Sequence, residues 1–230
     1  MSTMRYLKVA MPTSTVEDYL KCIHREERIG QGRLVSTGRI AQKMDVAPGT
    51  VTAMMKTLTE TGLIEYEPYL GVRLTDRGHK LAAHVLRRHR LVELFLVEIM
   101  GMDWSEVHQE AEILEHAVSD RLIDRMDGML GHPTVDPHGD PIPSSTGALD
   151  ENDDPSLLAC ELHRDLEITR VTDQRTEFLK LLEQHRLTPG RRAVVENRDE
   201  LTETVQVRPV GGEPLRLGFQ AASRILVGRD

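Results

Sequence analysis

The residues of this chain best suited to chemistry concentrate in His108-Gln109-Glu110-Ala111-Glu112-Ile113-Leu114-Glu115-His116. On a helix, side chains three and four apart share a face, so His108, Glu112, Glu115 and His116 fall on one stripe. Two carboxylates and two imidazoles at that spacing make an oxygen-and-nitrogen donor set of the kind a first-row divalent cation takes. The competing reading of this stretch alone is a solvated acidic helix face that binds nothing. His89 and Glu93, four apart upstream, and Asp136 and His138, in a downstream loop, are further candidate ligands.

The elements that must position these groups can be read from periodicity. Residues 14–28 place Val16, Tyr19, Leu20 and Ile23 at helical spacing, with Ser14 or Thr15 as cap and Glu17 and Asp18 in the first turn. Gly30-Gln31-Gly32 ends that helix. Residues 36–44 predict a short helix facing Ile40, Ala41 and Met44 inward, 45–47 a turn, and 50–61 a longer helix with Val51, Met54, Met55 and Leu58 buried and Gly62 as its stop. Ile64 and Tyr66, then Val72 and Leu74, alternate about Tyr69-Leu70-Gly71, which predicts a hairpin. Helix, turn, helix and wing in that order predict a winged helix-turn-helix. Its outward face carries Pro48, Gly49, Thr50, Thr52, Ala53 and Lys56, with Arg39 on the preceding helix. Small residues there let a helix seat closely in a major groove, while Thr and the cations suit phosphates.

A long helix from about 75 to 100 follows, and its inner part, 91–100, is apolar nearly all round, as at a dimer interface. Ser105 is expected to cap the next helix, to about His116, and a third runs from about 119 to 130. The Pro-, Gly- and Asp-rich run 131–157, with acidic Asp150-Glu151-Asn152-Asp153-Asp154, predicts a linker. Short strands at 166–171, 192–196, 204–208, 214–217 and 224–227, around a helix at 176–185, predict a small β-barrel without a catalytic motif. The expected fold is therefore mainly α with a small β domain. A winged helix-turn-helix (1–75), a helical metal-binding and dimerisation domain (76–130) and the linker (131–157) precede a small β-barrel (158–230), which the resemblance described below implies is SH3-like.

Composition narrows the classes. With 39% hydrophobic and 29% charged residues, the chain is an ordinary globular one. It has no long apolar run, and the segment 6–11 is too short and too charged for a signal-peptide core. Cys22 and Cys160 form no CxxC, which fits a reducing cytoplasm and excludes a thiolate zinc site. The net charge of −8 is uneven: residues 1–82 hold 12 Lys and Arg against 9 Asp and Glu, and the remainder 17 against 28. A mildly basic head on an acidic body suits a DNA-binding region joined to a cation-binding one.

Several strings carry a family resemblance: Glu17-Asp18-Tyr19-Leu20, Thr50-Val51-Thr52, Leu74-Thr75-Asp76-Arg77-Gly78, Arg88-His89-Arg90-Leu91-Val92-Glu93, Val107-His108-Gln109-Glu110-Ala111, Glu115-His116 and Pro137-His138-Gly139-Asp140-Pro141-Ile142-Pro143. Together with the order of parts, they resemble the diphtheria toxin repressor family of metal-dependent transcriptional regulators over nearly the whole chain. The resemblance implies a manganese-type member with an SH3-like (FeoA-like) domain. Asp18 stands where iron-type members place Met, and Glu112 where they place Cys. It implies a primary metal site of Asp18, Glu112, Glu115 and His116, with His89 as a further candidate. It implies a second site of His89, Glu93 and His108, with ligands from Asp136, His138, Asp173 and Gln174. Lys21 replaces a second helix-1 carboxylate of short manganese-type members, so their two-ion cluster is not expected.

The function expected on this basis is a homodimeric repressor. Loaded with Mn²⁺, it binds a palindromic double-stranded operator and represses metal-uptake genes, with no membrane and no organic cofactor involved. The alternatives are an Fe²⁺-responsive member of the same family and, remotely, a metal-dependent hydrolase using the Glu/His cluster to activate water.

Overall fold

The computed structural model describes residues 13–30, 32–149 and 153–228. The segment 6–11, Gln31 and residues 150–152 of the acidic run lie outside the described residues. The chain divides into two compact units. One runs to Leu86 and takes in Ser145–Gly147; the other comprises Arg87–Ser144 and everything from Ala148 onward.

The first unit contains α1 (Ser14–Ile29), α2 (Thr37–Met44), α3 (Pro48–Glu60), β1 (Ile64–Glu67), β2 (Gly71–Leu74) and the first half of α4 (Asp76–Glu98). The cap of α1 is Thr13, one residue before the expected Ser14 or Thr15, and its hydroxyl accepts the Val16 N–H at 3.4 Å. Ser36 caps α2 in the same way through the Arg39 N–H. Asp45, at φ 51°, takes the left-handed conformation that stops α2, and Pro48 opens α3 where no helical N–H is needed. Leu20, Ile23, Ile40, Val51, Met55 and Leu58 are all fully buried in one cluster, so the apolar stripes of the three helices meet. The hairpin pairs Ile64 with Leu74 and Tyr66 with Val72, the four residues whose alternation predicted it. Gly78 permits α4 to start hard against the hairpin, since a Cβ there would lie 2.1 Å from the Leu63 carbonyl oxygen.

In the second unit, the rest of α4 packs with α5 (Val107–Leu114) and α6 (Asp120–Met129) around Leu91, Leu96, Val107, Ala111 and Ile123. Two expectations need correcting. Ser105 does not cap α5: its N–H and hydroxyl both bind Asp103 Oδ1, at 2.8 and 2.6 Å, which places the cap position at Glu106. The helix also stops at Leu114, so Glu115 is its C-cap and His116 lies in the following turn.

The β domain is an antiparallel sheet of order β6-β5-β4-β3-β7, formed by β3 (Asp165–Val171), β4 (Arg192–Asp199), β5 (Thr204–Pro209), β6 (Leu215–Gly218) and β7 (Ile225–Gly228). Helix α7 (Thr176–Gln184) buries Leu179 and Leu182 in the core of this sheet, and α8 (Phe219–Ala222) adds Ala222. Trp104, from the loop before α5, is buried in the same core, and Thr176 donates a hydrogen bond to the Ser105 carbonyl. The Pro- and Gly-rich run around 133–143 holds no helix and only the isolated antiparallel bridge Val135–Pro141, yet it is packed, with Asp136, His138 and Asp140 all buried.

Candidate metal centre and nucleic-acid interface

His89, Glu93, His108, Glu112 and Glu115 meet because α4 and α5 present one heptad-like face to each other. His89 Nδ1 lies 2.6 Å from Glu115 Oε2 and 3.7 Å from Glu112 Oε1. Its Nε2 lies 2.9 Å from Glu93 Oε1 and 3.2 Å from His108 Nδ1. Glu93 Oε1 is also 3.0 Å from His108 Nδ1, and Glu112 Oε1 is 3.6 Å from His108 Nε2. His116 Nε2 stands 3.3 Å from Glu115 Oε1. His89, Glu93 and Glu115 are buried, whereas Glu112 and His108 are partly open to solvent. Two triads, His89–Glu93–His108 and His89–Glu112–Glu115, each bring one ligand atom per residue within 4.8 Å of the others.

A third triad, Glu93–Asp136–His138, is wholly buried. His138 reaches it from the packed loop, with Nε2 donating to the Trp104 carbonyl at 2.9 Å. That bond fixes the tautomer and leaves Nδ1 as a lone pair, 3.9 Å from Glu93 Oε2. Asp136 Oδ1 accepts the N–H groups of His138 and Asp140, at 2.8 and 2.9 Å, which orients its second oxygen. Glu93 Oε2, Asp136 Oδ2 and His138 Nδ1 are buried with no hydrogen-bond partner. Buried carboxylate oxygens without donors are costly, and a divalent cation removes that cost, so the donor set fits a metal ion.

Electrostatics point the same way. Burial raises the Glu93 carboxyl, but the charge of His89 and hydrogen bonds from His108 and His89 outweigh it and hold Glu93 well below the ordinary carboxylate range. Asp136 is pushed well above its ordinary value by burial, reinforced by the negative charges of Asp140 and Glu93. Burial lowers His138, which keeps it in the neutral form that ligates metals.

The loop is held by groups that sequence reasoning did not single out. Buried Arg90 donates to the Pro141 carbonyl and lies 3.8 Å from both Asp136 Oδ2 and Asp140 Oδ1; Arg170 of β3 pairs with Asp140. Gln174 donates to Asp140 Oδ2 at 2.9 Å, which places it behind the loop. The Asp173 carboxylate is engaged by Arg175, at 2.7 Å from its Nη2, and belongs to none of the triads. Asp18 lies half-buried on α1 of the first unit.

Along the recognition helix α3, Pro48, Gly49, Thr50, Ala53 and Lys56 are exposed, while Thr52 is half-buried and its hydroxyl donates to the Pro48 carbonyl. Arg39 is half-exposed, and its Nε is paired with buried Glu26, which ties α2 to α1. At the wing tip Tyr69 and Leu70 are exposed, and Arg73 on the wing pairs with Glu65 at 2.6 Å. The hairpin signal was the only sequence marker of these exposed wing residues. No helix among the described residues is long and apolar enough to cross a membrane.

A winged helix and a body built around clustered carboxylates and imidazoles define a metal-dependent DNA-binding regulator. Three family descriptions match in series: "Iron dependent repressor, N-terminal DNA binding domain" over residues 11–72, "Iron dependent repressor, metal binding and dimerisation domain" over 75–144, and "FeoA domain" over 156–229. The HTH-type transcriptional regulator MJ0568 of Methanocaldococcus jannaschii is 36% identical over 114 residues, which is 50% of this chain and 90% of that protein. The iron-dependent repressor IdeR of Mycobacterium tuberculosis is 34% identical over 171 residues, 72% of this chain and 74% of that one. Among solved structures, a manganese-dependent transcriptional repressor in complex with manganese superposes with a TM-score of 0.81 at 37% identity, covering 92% of this chain and 98% of the other. The chain belongs to the diphtheria toxin repressor (iron-dependent repressor) family, as a metal-dependent DNA-binding transcriptional repressor with a C-terminal FeoA domain.

Proposed function

We propose that this repressor responds to Mn²⁺ and binds a palindromic operator as a homodimer, shutting off metal-uptake genes when the ion is replete. The observation that carries the reading is the donor set: Glu112, within 3.7 Å of His89, contributes a carboxylate where a thiolate would favour softer ions, and no sulfur joins the described triads. A bound divalent ion supplies the positive charge that lets several carboxylates share one site. Glu112, Glu115 and His116 of the second unit hold it, and Asp18 contributes from the DNA-binding unit, an assignment that rests on the sequence and the family resemblance. Glu93, Asp136 and His138 hold a second ion, joined by His89 and His108; Asp173 and Gln174 stand as outer candidates. The exposed residues Ile99 and Met100 just after α4, Ile113 of α5 and Leu122 and Met129 of α6 supply the apolar face for the second copy. Pro48, Gly49, Thr50, Thr52, Ala53 and Lys56 face the major groove, with Arg39 toward the backbone.

An iron-responsive reading draws support from the name of the mycobacterial relative. The two separate in one experiment: operator affinity measured anaerobically across buffered Mn²⁺ and Fe²⁺. Manganese control predicts that Mn²⁺ activates at the lower free concentration relative to its cellular supply. Glu112→Cys should soften the site: the Mn²⁺ concentration for half-activation should rise by about 10-fold or more while that for Fe²⁺ falls, read from the same titration. Unchanged Mn²⁺ response in this variant removes Glu112 from the site.

A further inference from the structure

A cluster of metal-ligating side chains also lies within the winged-helix unit. His24 and Glu27 sit one turn apart on α1, and His79 projects from the first turn of α4. One ligand atom from each lies within 4.8 Å of the others. His24 Nδ1 and His79 Nδ1 are 3.4 Å apart, with the rings edge to face at a centroid separation of 5.6 Å. Two nitrogens ~2.0–2.1 Å from one tetrahedral ion stand about 3.3–3.4 Å apart. The two imidazoles therefore already have the spacing that such an ion imposes.

Glu27 supplies an independent sign of a missing cation. Its side chain is 9% exposed, and its Oε1 accepts the Leu74 N–H at 2.7 Å. Its Oε2 is buried without a hydrogen-bond partner and faces His79 Nε2 at 3.5 Å. The backbone bond orients the carboxylate and spends one oxygen; the other faces the His79 ring.

We propose that His24, Glu27 and His79 form an additional cation site of the zinc type in the DNA-binding unit, separate from the α4–α5 centre. Two imidazoles and one carboxylate are the donor set of three-ligand zinc sites, and they favour Zn²⁺ over Mn²⁺. The ion ties the C-terminal half of α1 to the start of α4. Through the Leu74–Glu27 bond it also fixes the root of the wing. It thus acts on the rigidity of the DNA-reading unit. The opposing interpretation is a His24–His79 hydrogen bond with Glu27 beside it and no ion.

Metal counting on the full chain decides between them. Wild type, His79→Gln and His24→Gln are dialysed against buffered Zn²⁺ and the ions per chain are measured, with circular dichroism as the fold control. Each variant is expected to lose one equivalent of Zn²⁺. His79 is half-exposed, so its replacement leaves the fold intact and is decisive if His24→Gln is not stable. As a second measurement, Co²⁺ is added to Glu93→Ala and to Glu93→Ala/His79→Gln; the primary site is common to both, so the difference spectrum should show the visible bands of this triad. Equal Zn²⁺ stoichiometry in wild type and His79→Gln, or a Co²⁺ spectrum identical in Glu93→Ala and in the double variant, overturns the proposal.

Discussion

Glu93→Ala is expected to weaken divalent-metal binding at the second site by more than about 100-fold. Even groups that only orient a ligand cost about 10–100-fold when removed, and Glu93 is proposed here as a ligand itself. It is fully buried, it is 2.9 Å from His89 Nε2 and 3.0 Å from His108 Nδ1, and its other oxygen faces His138 Nδ1 at 3.9 Å. No other side chain among the described residues belongs to both the His89–Glu93–His108 and the Glu93–Asp136–His138 triads. Its loss removes the carboxylate that lies between His89, His108 and His138. Isothermal titration with Mn²⁺ checks this; a variant that keeps wild-type stoichiometry and affinity excludes Glu93 as a ligand. Glu93→Gln, nearly isosteric, separates loss of charge from loss of packing.

Gly139→Ala is expected to destabilise the second unit by about 3 kcal/mol or more, at the upper end of what single substitutions do. The reason is geometric. Gly139 has φ +81°, and a Cβ there would lie 1.9 Å from the Thr169 carbonyl oxygen and 2.8 Å from Arg170 Cα. Both obstacles are backbone, so nothing can swing aside. The loop would have to lift from β3, breaking the Val171 N–H bond to the His138 carbonyl, which measures 2.8 Å, and carrying Asp136 and His138 away from Glu93. Stability and second-site metal affinity should therefore fall together. Urea unfolding with and without Mn²⁺ measures both, and near-wild-type values would show that the loop does not need this close approach.

Much of this architecture was legible in the sequence because its determinants are local. The register Ile64↔Leu74 and Tyr66↔Val72 follows from alternation around a tight turn, and α2, the Asp45 turn and α3 follow from short apolar stripes punctuated by Pro48. The strands of the C-terminal domain emerged for the same reason, each bounded by turn residues. His89, Glu93, His108, Glu112 and Glu115 were also recoverable, since helical spacing puts them on facing stripes of α4 and α5.

The run 131–157 was the least legible. Its Pro and Gly content predicts a segment without regular structure, and the structure adds one antiparallel bridge, Val135 to Pro141. What composition cannot express is that the segment around 133–143 is held from a distance. Arg90 on α4, Arg170 on β3 and the Trp104 carbonyl supply its polar partners, and none of them is near it in sequence. The cap of α5 was misread for a related reason. Ser105 is a good cap residue by type, but Asp103, two positions earlier, takes both its donors. The His24–Glu27–His79 cluster was invisible because His79 comes 55 residues after His24 and only the fold brings them together.

The central claim is that metal occupancy and DNA binding are linked. Coupling of this kind amounts to about 1–3 kcal/mol, or roughly 5–150-fold in affinity, and must act equally in both directions. The direct test is fluorescence anisotropy at fixed ionic strength on a palindromic duplex selected by the Mn²⁺-loaded protein from a random pool. One arm contains excess chelator and the other buffered, saturating Mn²⁺. The account predicts binding at least about 5-fold tighter with Mn²⁺, and a matching gain in Mn²⁺ affinity when the duplex is present. Equal DNA affinity in chelator and in Mn²⁺ would contradict it.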